Sequence, residues 1–230
     1  MEMEINNLVT IIYCSSNMEN PKFEQRIQET LLKNCGNLLI ISVTQKPINL
    51  GKNICVGDNI GVTGFNFFRQ VLIGCEAAKT KFVISAEADT LYPPDYFTFI
   101  PPKDNICYRN SNLYVMPDAR DYFFYKKEGA THAQVINREF YLKRLEELFK
   151  DAPMWSVEEK NFPKERWKKE DIFDENEIKY WRTKNPVFQM KTHRGLRYFT
   201  HSDRTPIYSL PYWGSGKKVR AFYFHGKEVI

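Results

Sequence analysis

The sequence predicts an α/β protein: a mixed, mainly parallel central sheet, helices on its flanks, and a small C-terminal extension. Three observations lead there. The chain opens as strand, helix, strand. A third buried run, 81–85, halts at a cluster of acidic residues. An apolar share of 43% in 230 residues, with aromatics at 15%, suffices for one substantial core.

Residues 7–13 (Asn-Leu-Val-Thr-Ile-Ile-Tyr) form an apolar, β-branched run ending in Cys-Ser-Ser-Asn, which reads as a buried first strand entering a loop. Pro21 opens a helix that carries Phe23, Ile27, Leu31 and Leu32 at helical spacing and stops at Gly36. A second buried strand follows over 37–43. Two strands joined by a helix are expected to lie parallel through a right-handed crossover. The stretch 46–64 is rich in Asn and Gly and reads as a loop, leading to a helix over 66–78 and the strand 81–85.

Farther on, 107–125 alternates polar and apolar residues and reads as one or two strands of a mixed sheet. A helix is predicted over 137–148, and a charged helix and loop covering the core over 158–181. The run 187–191 reads as a strand. The last forty residues, punctuated by Pro206, Pro211, Gly214 and Gly216, read as short strands or an ordered tail. No internal repeat or low-complexity segment interrupts the chain. Ligands of open α/β sheets bind at the carboxyl ends of the strands, which directs attention to 13–16, 44–46 and 86–90.

Composition narrows the function classes. No apolar run is long enough to cross a bilayer, and the start Met-Glu-Met-Glu lacks the basic and apolar regions of a signal peptide. The expectation is a soluble, cytoplasmic protein without a membrane anchor, in the host cytoplasm if the chain is viral. Cys14, Cys35, Cys55, Cys75 and Cys107 stand singly, which excludes a disulfide framework or a zinc ribbon and predicts reduced, mostly buried thiols. The net charge of +5 is unevenly placed: eleven Lys and Arg lie from Ile178 onward, opposed there by Asp203 and Glu228. Such a quarter suits an anionic partner, whether a diphosphate, a polyanionic acceptor or nucleic acid; each cation taken singly reads equally well as part of a solvated face.

The chemistry concentrates in Lys-Phe-Val-Ile-Ser-Ala-Glu-Ala-Asp-Thr-Leu-Tyr-Pro-Pro. In an extended segment, residues i and i+2 point the same way, so Glu87 and Asp89 can share one hard cation. Mn or Mg held by few carboxylates keeps open positions for phosphate oxygens. Taken alone, an acid-x-acid triplet is as readily a turn.

Its setting adds to it. Gly64-Phe65-Asn66 begins a helix that Ala77-Ala78-Lys79 ends, and the acidic strand end runs into Pro93-Pro94-Asp95-Tyr96-Phe97. This stretch, extending back to the first strand, resembles the GT-A glycosyltransferases related to family 2, within the nucleotide-diphospho-sugar transferase superfamily. The resemblance implies a Rossmann-like GT-A fold in a single domain, with 1–103 as the donor half and 104–230 as the acceptor half and basic segment. It implies transfer of a sugar, from a UDP-sugar by preference, to a hydroxyl acceptor, with a divalent cation bridging the donor diphosphate. Two departures stand out: Glu-x-Asp replaces the usual Asp-x-Asp, and Thr44-Gln45-Lys46-Pro47 lacks the Asp-Asp-Gly-Ser-like run of many members.

By the same resemblance Glu87, Asp89 and His193 form the metal set, with His201 as the alternative histidine. The donor set comprises Tyr13, Ser15, Gln45, Gly64, Asn66, Arg69, Arg194 and Arg197. Lys191 joins Arg194 and Arg197 in neutralising the leaving diphosphate. An inverting enzyme needs a carboxylate base, for which Glu158 and Glu159, after Trp155, are the candidates; a retaining one does not. His132 and Gln134 are candidate acceptor contacts. Arg69 reads equally as a surface helix residue, and Ser15 as a turn residue.

Two further functions stay open. One is nucleotidyl transfer on a related sheet, although Cys-Ser-Ser-Asn-Met-Glu-Asn is not the Gly-rich basic signature usual there. The other is nucleic-acid binding by the basic, aromatic C-terminal region, around Arg204, Tyr212, Trp213 and Lys217. A basic transferase would also suit a modified base in viral DNA as acceptor.

Overall fold

The computed structural model describes residues 2–126, 129–157, 171–192, 194 and 202–227. After a short helix α1 (Glu2–Leu8), the chain forms β1 (Val9–Ser15), α2 (Pro21–Asn34), β2 (Leu39–Thr44), β3 (Lys52–Cys55), α3 (Gly64–Ala77) and β4 (Phe82–Glu87). There follow β5 (Thr90–Leu91), a 3-10 turn (Pro94–Thr98), β6 (Cys107–Asn110), β7 (Leu113–Pro117), β8 (Phe124–Tyr125), β9 (Gln134–Asn137) and α4 (Arg138–Phe149). The later part holds β10 (Ile178–Trp181), β11 (Val187–Lys191), β12 (Ser209–Leu210), β13 (Gly214–Ser215) and α5 (Gly216–His225).

Seven strands make the main sheet, in the order β10-β6-β9-β4-β1-β2-β3. β4, β1, β2 and β3 run parallel, β6 and β10 are parallel to each other, and β9 is antiparallel to both its neighbours. β1 is buried along its whole length. Its alternate side chains therefore enter two cores. Ile12 and Cys14 face α3 and α4, whereas Val9, Ile11 and Tyr13 face Leu31 of α2, Cys35 just after it, and the aromatic group Tyr92, Tyr96 and Phe97. A Cβ on Gly74 of α3 would stand 2.6 Å from Ile12 Cγ2, so the glycine lets α3 lie close on β1.

A second sheet, β5-β11-β7-β8, packs with α2 and α5 around Phe23, Leu91, Phe188, Met190, Val219 and Tyr223. It bears directly on the site. β5 follows the acidic triplet and pairs antiparallel with β11, setting Gln189 opposite Thr90, and Met190 N–H donates to Asp89 O at 2.7 Å.

Helix starts follow their capping residues. Asn20, Thr63, Asn137 and Ser215 each accept from a backbone N–H of the first turn, and Pro21 follows Asn20 directly. α5 ends at Gly226 in the left-handed region, with φ 64°.

Several sequence expectations need correction. The loop 46–64 contains β3, whose half-exposed Lys-Asn-Ile-Cys shows no apolar run because it is an edge strand. The segment 107–125 supplies three strands to two different sheets, with the switch made at Asn110-Ser111-Asn112, where Asn110 Oδ1 accepts from Asn112 N–H at 2.6 Å. Residues 178–181, expected in a helix and loop, form the edge strand β10; 158–170 lie outside the described residues. The tail carries the helix α5, because Ser215 and Gly226 act as its caps. The expectation of reduced, mostly buried thiols holds: all five cysteines are free, and Cys14, Cys35, Cys75 and Cys107 are buried, with Cys55 exposed.

Candidate functional site around the acid pair of β4

β1, β2 and β4 end together, and their loops are tied to one another. Gln70 of α3 donates to Ser15 O at 3.0 Å and Val43 O at 2.9 Å, and Lys46 N–H donates to Asn17 Oδ1 at 2.8 Å. Into this end β4 delivers Glu87 and, two residues on in the turn that follows, Asp89. Glu87 N–H donates to the Tyr92 hydroxyl at 3.0 Å, and that hydroxyl donates to His132 O at 2.7 Å. The acidic turn is thereby pinned to the segment before β9.

Asp89 is held from the second sheet. Gln189 Nε2 donates to both its carboxylate oxygens, at 3.1 and 2.9 Å, and Thr90 Oγ1 donates at 3.0 Å. Burial raises the pKa of Glu87 from 4.5 to about 8, the charge of Asp89 adds to the rise, and Lys191 opposes it. Burial also raises Asp89, offset by Lys191, Gln189 and Thr90. Two carboxylates this close in a partly desolvated place disfavour being charged together. A bound cation removes that penalty. Lys191, itself buried, is the positive charge already there.

A third carboxylate stands near. Glu19, in the loop between β1 and α2, accepts from the Thr192 hydroxyl. Burial takes its pKa from 4.5 to about 7; Thr192 opposes the rise, the charge of Asp89 adds to it, and Arg194 opposes it. Sequence reasoning missed Glu19 and Gln189, since neither belongs to a recognisable motif. Among the described residues no three His, Cys, Asp or Glu side chains converge as a metal-holding group. From those residues a cation would take Glu87 and Asp89 as hard oxygen ligands, which fits Mg or Mn that draw their other ligands from phosphate and water.

The remaining candidates are placed unevenly. Tyr13 is fully buried and its hydroxyl donates to Glu24 at 3.0 Å, which leaves no ring surface for a ligand. Ser15 Oγ accepts from Asn17 N–H at 2.9 Å, a turn contact. Gln45 donates to Gly61 O at 2.9 Å, and Gly64 is the first residue of α3. Asn66 donates to Ser156 O at 2.8 Å and to Gly61 O at 3.1 Å, and accepts from Ser156 N–H at 2.9 Å. Arg69 donates to Met154 O and Pro153 O, at 3.1 and 2.7 Å, with its guanidinium 3.8 Å from the Phe149 ring centroid. Both side chains thus hold the segment 153–156 against α3.

Arg194 is exposed at the lip, with its N–H on Thr192 Oγ1 at 3.2 Å. Gln134 is buried, its amide joined to Arg109 and Tyr141. His132 is buried with no partner for Nε2 among the described residues; burial, then Lys191 and Lys126, holds its pKa well below 6.5. His193, His201, Arg197, Glu158 and Glu159 lie outside the described residues.

A scan against protein families finds no match, and a search of curated proteins finds no relative. Solved structures resemble the chain at low identity. A glycosyltransferase involved in the glycosylation of the major capsid of PBCV-1 is 10% identical with a TM-score of 0.41, over 76% of this chain and 82% of that one. A TarS fragment from S. aureus in complex with UDP-GlcNAc is 10% identical with a TM-score of 0.45, over 81% of this chain and 59% of that one. The inositol-1-phosphate CTP transferase from T. maritima is 10% identical with a TM-score of 0.47, over 81% and 91%. At these identities and TM-scores the likeness carries no argument about what this chain does. The chain is an α/β protein with a mixed, mainly parallel seven-stranded sheet. No helix among the described residues is long and apolar enough to cross a membrane.

Proposed function

We propose that the chain transfers a sugar from a nucleoside diphosphate sugar, UDP-linked by preference, to a hydroxyl acceptor. One observation carries the reading. Two carboxylates at the carboxyl end of β4, one of them clamped by Gln189, meet beside the buried Lys191 where the loops of a parallel sheet converge.

In this reading Glu87 and Asp89 hold a divalent Mn or Mg ion, with His193 as a further ligand. The metal, when bound, neutralises the donor diphosphate. Gln189 fixes the orientation of Asp89 through both oxygens, and Lys191, with Arg194 and Arg197 at the lip, stabilises charge on the leaving diphosphate. The loops carrying Ser15, Gln45 and Gly64 flank the nucleotide, with Asn66 and Arg69 supporting that wall from behind. Residues 1–103 supply most of the donor side. Residues 104–230 supply the acceptor side and return Gln189 and Lys191 to the acid pair. If transfer inverts the anomeric centre, Glu158 or Glu159 is the base that takes the acceptor proton. The basic C-terminal quarter makes DNA one acceptor to test.

Calorimetric titration of UDP with and without Mn tests the reading, together with a screen of donor sugars for release of free nucleoside diphosphate. Binding at least about tenfold tighter with metal is expected. Equal affinity in EDTA, with no donor hydrolysed, would refute it.

A further inference from the structure

Away from the acid pair, α2 and α5 enclose a cleft of about 730 Å³. α2 starts beside the carboxyl ends of the strands and runs back along the sheet for fourteen residues. Neither acid of the pair, nor Gln189 or Lys191, belongs to the lining of the cleft. The walls offer Arg26 and Lys33 from α2, Lys218 from α5, and the rings of Tyr212, Trp213 and Phe222.

What the cleft presents to a ligand is cationic and aromatic. Its neutral polar groups are already joined to one another: the hydroxyls of Thr30 and Tyr223 meet at 2.7 Å, and Asn34 binds Tyr92 O at 2.8 Å and the Tyr212 hydroxyl at 2.6 Å. Arg26 is partly engaged on Tyr223 O, at 2.9 Å. Lys33 and Lys218 have no ion pair among the described residues, and the one acid of the lining, Glu29, takes a hydrogen bond from Gln25 at 2.9 Å. Tyr212 is 49% exposed and Phe222 is 38% exposed. The tyrosine backbone sits at φ 68°, a left-handed conformation that bulky residues rarely adopt, and here it holds the ring at the cleft. Lys217 and Arg220 continue the positive charge along α5.

A sugar chain or a peptide would need neutral hydrogen-bonding partners that are engaged elsewhere. A chain of phosphates bearing planar bases needs cations and open aromatic faces. We propose that the α2–α5 cleft binds single-stranded nucleic acid, with phosphates on Lys33 and Lys218 and bases stacked on Tyr212 and Phe222. This binding stands independently of the transfer chemistry proposed above.

The test is fluorescence anisotropy of a labelled oligothymidylate of about twelve nucleotides titrated with the full chain between about 50 and about 200 mM salt. Saturable binding that weakens with salt is expected. Lys33→Ala/Lys218→Ala should weaken it at least about tenfold and flatten the log–log salt slope by about 1.4, from about 0.7 per phosphate on a single strand. Phe222→Ala should weaken it about tenfold with the slope unchanged. Lys33→Arg/Lys218→Arg should keep the binding, which separates loss of charge from damage to the helices. The proposal is overturned by no saturable binding, by equal affinity of the wild-type and Lys33→Ala/Lys218→Ala proteins, or by a base-free polyphosphate binding as tightly as the oligonucleotide.

Discussion

Replacing Glu87 by Gln should make the metal-free protein more stable while removing its response to metal. The folded-state pKa of Glu87, about 8, lies above its ordinary value of 4.5. A carboxyl raised in this way favours the folded state only while protonated. Its contribution is full below about 4.5 and is lost as the pH climbs through about 8. Taken at face value the shift corresponds to about 5 kcal/mol. The side chain keeps part of its surface in water, which screens the effect, so we expect about 1–3 kcal/mol at pH about 8. For a chain of this size that is a rise in Tm of about 3–9 °C.

The assay is thermal unfolding of both proteins in EDTA at pH about 8 and about 5, repeated with Mn. The variant should melt higher at the upper pH, the two should converge at the lower one, and only the wild type should gain from Mn. If Glu87→Gln melts at or below the wild type at pH about 8, the carboxyl is not electrostatically frustrated, and the case for a cation site at β4 fails with it.

Gln189→Leu removes both hydrogen bonds to Asp89 and should raise its pKa further; Mn affinity, read by calorimetry, should fall about tenfold with little change in fold. Asn66→Ala leaves the carbonyl and N–H of Ser156 without that partner and should cost about 2–4 kcal/mol in a denaturant melt; a raised KM for donor with an unchanged melt would instead make Asn66 a donor contact. Gly216→Ala places a methyl group against the backbone oxygen of Asp121, so α5 must shift. A loss of about 1–3 kcal/mol is expected in the same melt, with Mn binding at the acid pair retained.

Much of the architecture was legible along the chain. β1, α2, β2, α3, β4 and α4 carry long apolar periods and local caps such as Asn20 with Pro21, so near neighbours decide them. Glu87 and Asp89 stood out because the strand before them is buried and the turn after them is written in prolines. β3, β5, β10 and α5 were not legible: short edge strands and a late helix have little apolar period of their own and exist because a partner element is there to receive them. The same holds for the site. The sequence by itself determined that two acids would end a buried strand. Only the tertiary structure decided that β11, 100 residues away, lays the Gln189 amide on Asp89 and that Lys191 and Glu19 gather beside it. It also turned Tyr13, Asn66, Arg69 and Gln134 inward. A polar side chain is committed by whichever donor or acceptor lies within about 3 Å of it, and that neighbour is set by packing rather than by position in the chain.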